Sequence, residues 1–185
     1  MGIFWKTLGH DLSKYGREEF HHSKMYFTGK MSPVFVDRMH HDYYSRIATH
    51  HTKRNKHHWE YWTDFLCGRL IVKTIPYRYA VEYVCDVLAA SKVYNGKAFQ
   101  RDTALRYFNG KEGHYYMTQA TKEFVVWCLS QYAESGWKHL KKKETKAKYE
   151  EIIRKHPDVE VVEELRIPGP LPPLDKNPEE EPIIC

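Results

Sequence analysis

Cysteine is scarce in this chain of 185 residues, and its spacing excludes a disulfide-built fold. Cys67, Cys85, Cys128 and Cys185 lie far apart and form no CxxC pair, so a disulfide framework is not expected and a reducing compartment, the cytoplasm, is the simpler reading. Cys85 and Cys128 fall inside apolar helical patterns, where free cysteine behaves as a small buried hydrophobe. Long apolar runs are also missing: none approaches the roughly 20 residues that span a bilayer, so no membrane partner is expected. The stretch Met1-Gly2-Ile3-Phe4-Trp5-Lys6 is too short in its apolar run for a secretion signal. Gly2 lacks the Ser or Thr that a myristoylation signal wants, since position 6 is Lys. Strand alternation bounded by hairpin turns is absent except for a short run over Asp158–Leu165. There is no internal repeat.

What is present suits a folded domain with an acidic tail. Hydrophobic residues make up 42% and aromatics 15%, enough for a core, and the length is that of one domain. The net charge of +5 hides an asymmetry. Residues 157–185 hold eight acidic and two basic side chains, a net of −6, which leaves +11 on residues 1–156. A basic body fits a phosphate-bearing partner, either a nucleotide or a nucleic acid, and a solvated lysine-rich surface accounts for the charge equally well.

The periodicity predicts an all-α chain. A short helix over Lys6–Tyr15 carries His10 and Asp11. A long helix runs from Asp37 to Leu70, with Asn55 as the place where it would break, and Ser32-Pro33 marks its approach as cap and first turn. Pro76 opens a helix with apolar positions Tyr79, Val81, Val84, Val87 and Leu88, ended by Asn95-Gly96. A short helix spans Asp102–Phe108 before Asn109-Gly110, and an amphipathic helix spans Thr118–Glu134 before Ser135-Gly136. Lys138–His156 is a charged helix, either exposed or packed through Leu140, Tyr149 and Ile152-Ile153. Prolines 168, 170, 172, 173, 178 and 182 with the run Glu179–Glu181 predict an extended or disordered tail. The organisation expected is a helical domain over 1–137, the charged helix over 138–156 and the tail over 157–185.

Histidine is the residue in excess. There are twelve, all but three within the first 58 residues, grouped as His10, His21-His22, His40-His41, His50-His51 and His57-His58. On a continuous helix His51, Asn55, His58 and Trp62 share one face, at i, i+4, i+7 and i+11, and His50, Arg54, His57 and Tyr61 form the neighbouring stripe. One imidazole of each doublet can then reach a metal, with His51 and His58 the first choice and His50, His57 and His22 the reserve. Two histidines two turns apart can also cap a core and bind nothing. Glu82 and Asp86, at i and i+4 on an otherwise apolar helix, need a cation: a metal, or an arginine such as Arg38, Arg46 or Arg69. In His10-Asp11-Leu12-Ser13-Lys14, Lys14 sits one turn beyond His10, where its ammonium could neutralise a phosphate oxygen.

The order His-Asp, His, His, Asp along a helical chain resembles the HD superfamily of metal-dependent phosphohydrolases, and His10–Lys14 is similar to its His-Asp-x-x-Lys form. More closely, the chain resembles an uncharacterised bacterial and phage family assigned to that superfamily. The matching stretches are 2–20 (GIFWKTLGHDLSKYGREEF), 51–62 (HTKRNKHHWEYW) and 75–86 (IPYRYAVEYVCD), with a looser match to about Thr121. The resemblance implies an HD-domain-like helical bundle. It also implies one or two divalent transition ions (Mn²⁺, Fe²⁺, Co²⁺, Ni²⁺ or Zn²⁺) on His10, Asp11, His51, His58 and Asp86. Hydrolysis of a nucleotide or other small phosphoester by metal-activated water would follow. On these positions Lys14, Arg54 and Lys56 would meet phosphoryl oxygens, Glu82 would serve as acid/base or orient a ligating histidine, and Asn55 would hydrogen-bond substrate or bound water. Trp59, Tyr61 and Trp62 would stack a base or pack in the core. One departure stands out. The superfamily supplies a histidine upstream of its His-Asp pair, whereas none of the nine residues before His10 is histidine; His21, His22, His40 and His41 are the candidate substitutes. Two other functions fit the same residues: a non-catalytic binding module for nucleic acid or protein with a degenerate or structural metal site, and a di-iron oxygenase.

Overall fold

The computed structural model describes residues 16–28, 32–110 and 115–162. The expected helix over Lys6–Tyr15, with His10, Asp11 and Lys14, and the chain from residue 163 onward lie outside the described residues. In chain order come α1 (Arg17–Met25), α2 (Pro33–His40), α3 (Arg46–Arg54), a 3-10 turn (Trp59–Trp62), β1 (Thr63–Leu66), β2 (Arg69–Lys73), α4 (Tyr77–Asn95), α5 (Thr103–Gly110), α6 (Gln119–Ser135), α7 (Lys142–Ile153) and β3 (Val159–Val162). The fold is mainly helical, but it is not the all-α bundle that the periodicity predicts: β1, β2 and β3 form an antiparallel sheet in that order.

The long helix expected over Asp37–Leu70 does break at Asn55, but the stretch also breaks elsewhere and is two helices, a turn and a hairpin. Between α2 and α3, Asp42 and Tyr43 take positive φ (48° and 71°), which no helix accommodates. Asp37, buried at the end of α2, accepts the Ser45 hydroxyl at 2.7 Å. Ser45 in turn accepts the Ala48 N–H at 3.0 Å and so caps α3. The hairpin turns on Cys67-Gly68, both at positive φ (51° and 77°), as the tight turns that match strand twist require. Pairing Leu66 with Arg69 and Thr63 with Val72 then follows, and Phe65, Leu70, Ile71 and Val72 supply the aromatic and branched or apolar positions that a pleated surface favours. Asp64 Oδ1 accepts the N–H of Phe65 at 2.8 Å on the strand opposite to which no further strand pairs among the described residues, a local device that blunts the edge.

Strand β3 is built from the first residues of the segment expected to be tail. Val162 pairs with Leu70 and Val159 with Lys73. The strand is tied further by the Thr74 N–H donating to the Asp158 carbonyl at 2.8 Å, by an ion pair between Lys73 and Asp158, and by Gln119 N–H donating to Glu160 Oε1 at 2.7 Å. The short run over Asp158–Leu165 was the one place where the sequence offered strand alternation, and there the strand forms.

The core lies among α4, α5, α6 and α7. Val81, Val84 and Leu88 of α4 meet Phe124, Val125, Cys128 and Leu129 of α6, with Phe108 of α5 and Ile152 of α7. α7, charged as its sequence is, packs through Leu140 just ahead of it and through Tyr149 and Ile152, while Ile153 remains exposed. Tyr149 donates its hydroxyl to the Ile75 carbonyl at 2.9 Å. Three buried threonines fasten the end of β2 to the start of α6: Thr74 and Thr118 hydroxyls lie 3.0 Å apart, and Thr121 Oγ1 accepts the Ile75 N–H at 3.1 Å. Cys128 is fully buried and Cys85 half-buried, and burial pushes the Cys85 thiol up to about 11. Among the described residues no helix is long and apolar enough to cross a membrane.

Candidate metal centre

The centre is made by a chain reversal, not by helical periodicity. α3 stops at Arg54, and Asn55 is extended (φ −98°, ψ 113°), with its N–H still donating to the His51 carbonyl. The His58 N–H then donates to the Asn55 carbonyl at 3.0 Å, so the chain folds back and lays His57 and His58 against the last turn of α3. One ring nitrogen from each of His51, His57 and His58 lies within 4.8 Å of the other two. The rings of His57 and His58 are 4.3 Å apart by centroid, those of His51 and His58 4.7 Å, and those of His51 and His57 5.9 Å. His57 is buried, at 2% exposure, and the other two are half-buried.

A carboxylate stands behind this group. α1 packs against α3 and places Glu19, only 1% exposed, with one oxygen 2.6 Å from His50 Nδ1 and the other 3.2 Å from His51 Nδ1. Asn55 also reaches His51: its amide nitrogen lies 3.0 Å from His51 Nδ1 and donates to the His51 carbonyl at 2.9 Å. Three borderline-soft nitrogen donors, converging and backed by a carboxylate that can accept from a ligand's second nitrogen, suit a divalent transition ion better than Ca²⁺ or Mg²⁺. Nitrogens bound to one ion at about 2.1 Å stand roughly 3.4 Å apart, so the three rings would have to close by no more than about 1.5 Å.

The sequence candidates divide as follows. His51, His57 and His58 come together, with His50 and Asn55 one contact away. Asp86, half-buried on α4, is not among the three converging groups. Glu82 is buried and meets an arginine, but one on its own helix: Arg78 Nε donates to it at 3.2 Å, in place of Arg38, Arg46 or Arg69. His41 Nδ1 lies 2.9 Å from Asp37 Oδ1 and the His41 ring meets Tyr26 edgewise, while the His40 ring is stacked on Tyr26 at an angle of 29°. His21 and His22 of α1 face each other edgewise at 5.8 Å. Lys53, Arg54 and Lys56, between His51 and His57 in the chain, are exposed, and Lys56 Nζ lies 5.7 Å from the centroid of the Tyr61 ring. Trp59 and Trp62 pack against the main core, Trp62 donating its indole N–H to the Lys56 carbonyl at 2.7 Å.

Two residues were not anticipated. Glu19 lies about thirty positions before its histidines, and nothing in the stretch Arg17-Glu18-Glu19-Phe20 distinguishes it from a surface acid. Glu60, in the 3-10 turn, has its Oε2 buried with no hydrogen-bond partner among the described residues. Burial pushes its carboxyl up, opposed by its own backbone N–H and by Lys53 and Arg38. The only sequence signal was its place two residues after a histidine doublet.

The model of a family of unknown function, DUF5662, matches residues 1–155. No curated protein and no solved structure matches the chain.

Proposed function

The chain belongs to this family of unknown function (DUF5662), and since membership assigns no activity, we propose from the site that it is a metal-dependent phosphohydrolase acting on a nucleotide or another small phosphoester. The observation that carries the reading is the convergence of His51, His57 and His58 on one point. The resemblance of His10–Lys14 to a phosphohydrolase motif supports it, adding His10 and Asp11 as further ligands and Lys14 as a phosphate contact. A bound divalent ion would bring the pKa of a coordinated water toward neutrality and polarise a phosphoryl oxygen.

The chain's own residues supply the rest. The exposed cations Lys53, Arg54 and Lys56 lie between His51 and His57 in the chain and would offset phosphate charge. Because Trp59 and Trp62 are occupied with packing, a base would stack on Tyr61, whose ring is 37% exposed with Lys56 over it. Arg78 consumes Glu82 in an ion pair, which favours a second reading, a non-catalytic binding module built on the same metal site.

The deciding experiment is elemental analysis of protein purified without chelator, followed by a phosphoester panel with added Mn²⁺. Tightly held metal and phosphoester turnover, both lost in His57→Ala, is the expected result. Metal without turnover, together with salt-dependent binding of nucleic acid, would replace the enzyme with the binding module. Absence of metal from the wild-type protein would end both readings, and an iron Mössbauer signal with oxygen consumption would point to oxygenase chemistry.

A further inference from the structure

We infer that Glu19 is a positioning residue that sets the ring tautomer of His51, in competition with Asn55, and thereby decides whether His51 presents Nε2 to a metal. This rests on the metal reading above for its consequence, but its geometry stands apart from it.

A carboxylate that is 1% exposed is tolerated only where hydrogen-bond donors face it. Among the described residues, two groups that can donate face Glu19: the Nδ1 atoms of His50 and His51, at 2.6 and 3.2 Å. The shorter contact, to His50, holds the carboxylate aimed, leaving its second oxygen for His51. A neutral imidazole that donates from Nδ1 carries its lone pair on Nε2, the form that ligates a metal through Nε2. Asn55 pulls the other way. Its amide nitrogen already donates one hydrogen to the His51 carbonyl, which orients the amide. The second hydrogen points toward His51 Nδ1 at 3.0 Å. A neutral His51 Nδ1 cannot donate to Glu19 and accept from Asn55 at once. In the first state Nε2 is a ligand; in the second it carries a proton.

Glu19 therefore selects the ligating state by offering negative charge to Nδ1–H, a stronger hydrogen bond than the neutral amide supplies. Replacing that charge with an amide removes the advantage while keeping the shape. Outer partners of this kind shift metal affinity by about 10–100-fold.

The test uses the full chain and Zn²⁺ alone as probe. Two-bond ¹H–¹⁵N imidazole correlations on metal-free protein should show His51 protonated at Nδ1 in the wild type and shifted toward Nε2 protonation in Glu19→Gln. Chelator competition should show Zn²⁺ bound about 10–100-fold more weakly by that variant. An unchanged tautomer, or a Zn²⁺ affinity within twofold of wild type, overturns the inference. If Glu19→Gln does not fold, Asn55→Ala decides: with the competitor gone His51 must be wholly Nδ1-protonated, and any Nε2-protonated form in that variant refutes the argument. A wild-type protein that binds no Zn²⁺ would sink the metal reading, while the tautomer measurement would still judge Glu19.

Discussion

Replacing Glu60 with Met should make the protein more stable, and more so at neutral pH than in acid. Glu60 Oε2 is buried without a hydrogen-bond partner among the described residues, and its charge lies close enough to the hydroxyls of the buried Tyr83 and the half-buried Tyr115 to add to the upward push that burial gives them. Leaving a buried polar or charged group unsatisfied costs about 1–3 kcal/mol, and methionine matches the length and shape of glutamate without the charge. For a chain of this size that gain corresponds to a rise in Tm of roughly 2–10 °C. The sign of the pH dependence follows from the direction of the shift. The folded carboxyl titrates above its ordinary 4.5, so its contribution favours folding below the unfolded value and is lost as pH rises through the folded one. The difference between Glu60→Met and wild type should therefore be largest at pH 7 to 8 and shrink towards pH 4. Thermal melts across that range give the answer. A variant less stable than wild type at pH 8, or a difference flat with pH, would refute the reasoning. A carboxylate kept at such a cost two residues after His58 is what a working site tolerates, so the same variant should lose any metal-dependent turnover.

Two further outcomes are expected. Tyr149→Phe removes the hydroxyl that satisfies the Ile75 carbonyl and should lower stability by about 0.5–1.5 kcal/mol, read as a lower urea midpoint with unchanged slope. Cutting the chain after Pro157 removes β3 with its pairing to β2 and the Thr74 and Gln119 hydrogen bonds. It should cost on the order of 2–4 kcal/mol and expose β2 amides to hydrogen exchange, whereas a cut after Val162 should leave them protected. Equal protection in both would mean that β3 contributes nothing.

The helices around the core were legible because their apolar spacing and their ends agreed: Pro76 and Asn95-Gly96 bracket α4, and Thr118 and Ser135-Gly136 bracket α6. The region between Asp37 and Leu70 was not. Its dense histidines and aromatics can be laid on a 3.6-residue period, and that pattern concealed Cys67-Gly68, a turn with two positive φ values followed by Leu70-Ile71-Val72. The same misreading reached the site by the wrong route. His51 and His58 do come close, their rings 4.7 Å apart, but because the chain turns back at Asn55, and that reversal also brings His57 to 5.9 Å from His51. Glu19 was out of reach because a partnership across about thirty residues leaves no local pattern to read.

The sheet also sets an order of events for a chain made from its N-terminus. β1 and β2 can zip together as soon as Cys67-Gly68 has formed, since Leu66 and Arg69 are neighbours. The other side of β2 must wait for a partner about ninety residues downstream, because Leu70 pairs with Val162. Loop closure over that distance makes such a contact slow to form. Until it does, Leu70 to Lys73 offer an unoccupied backbone ladder to whatever strand arrives first, and the nascent protein is most open to wrong pairing in that interval.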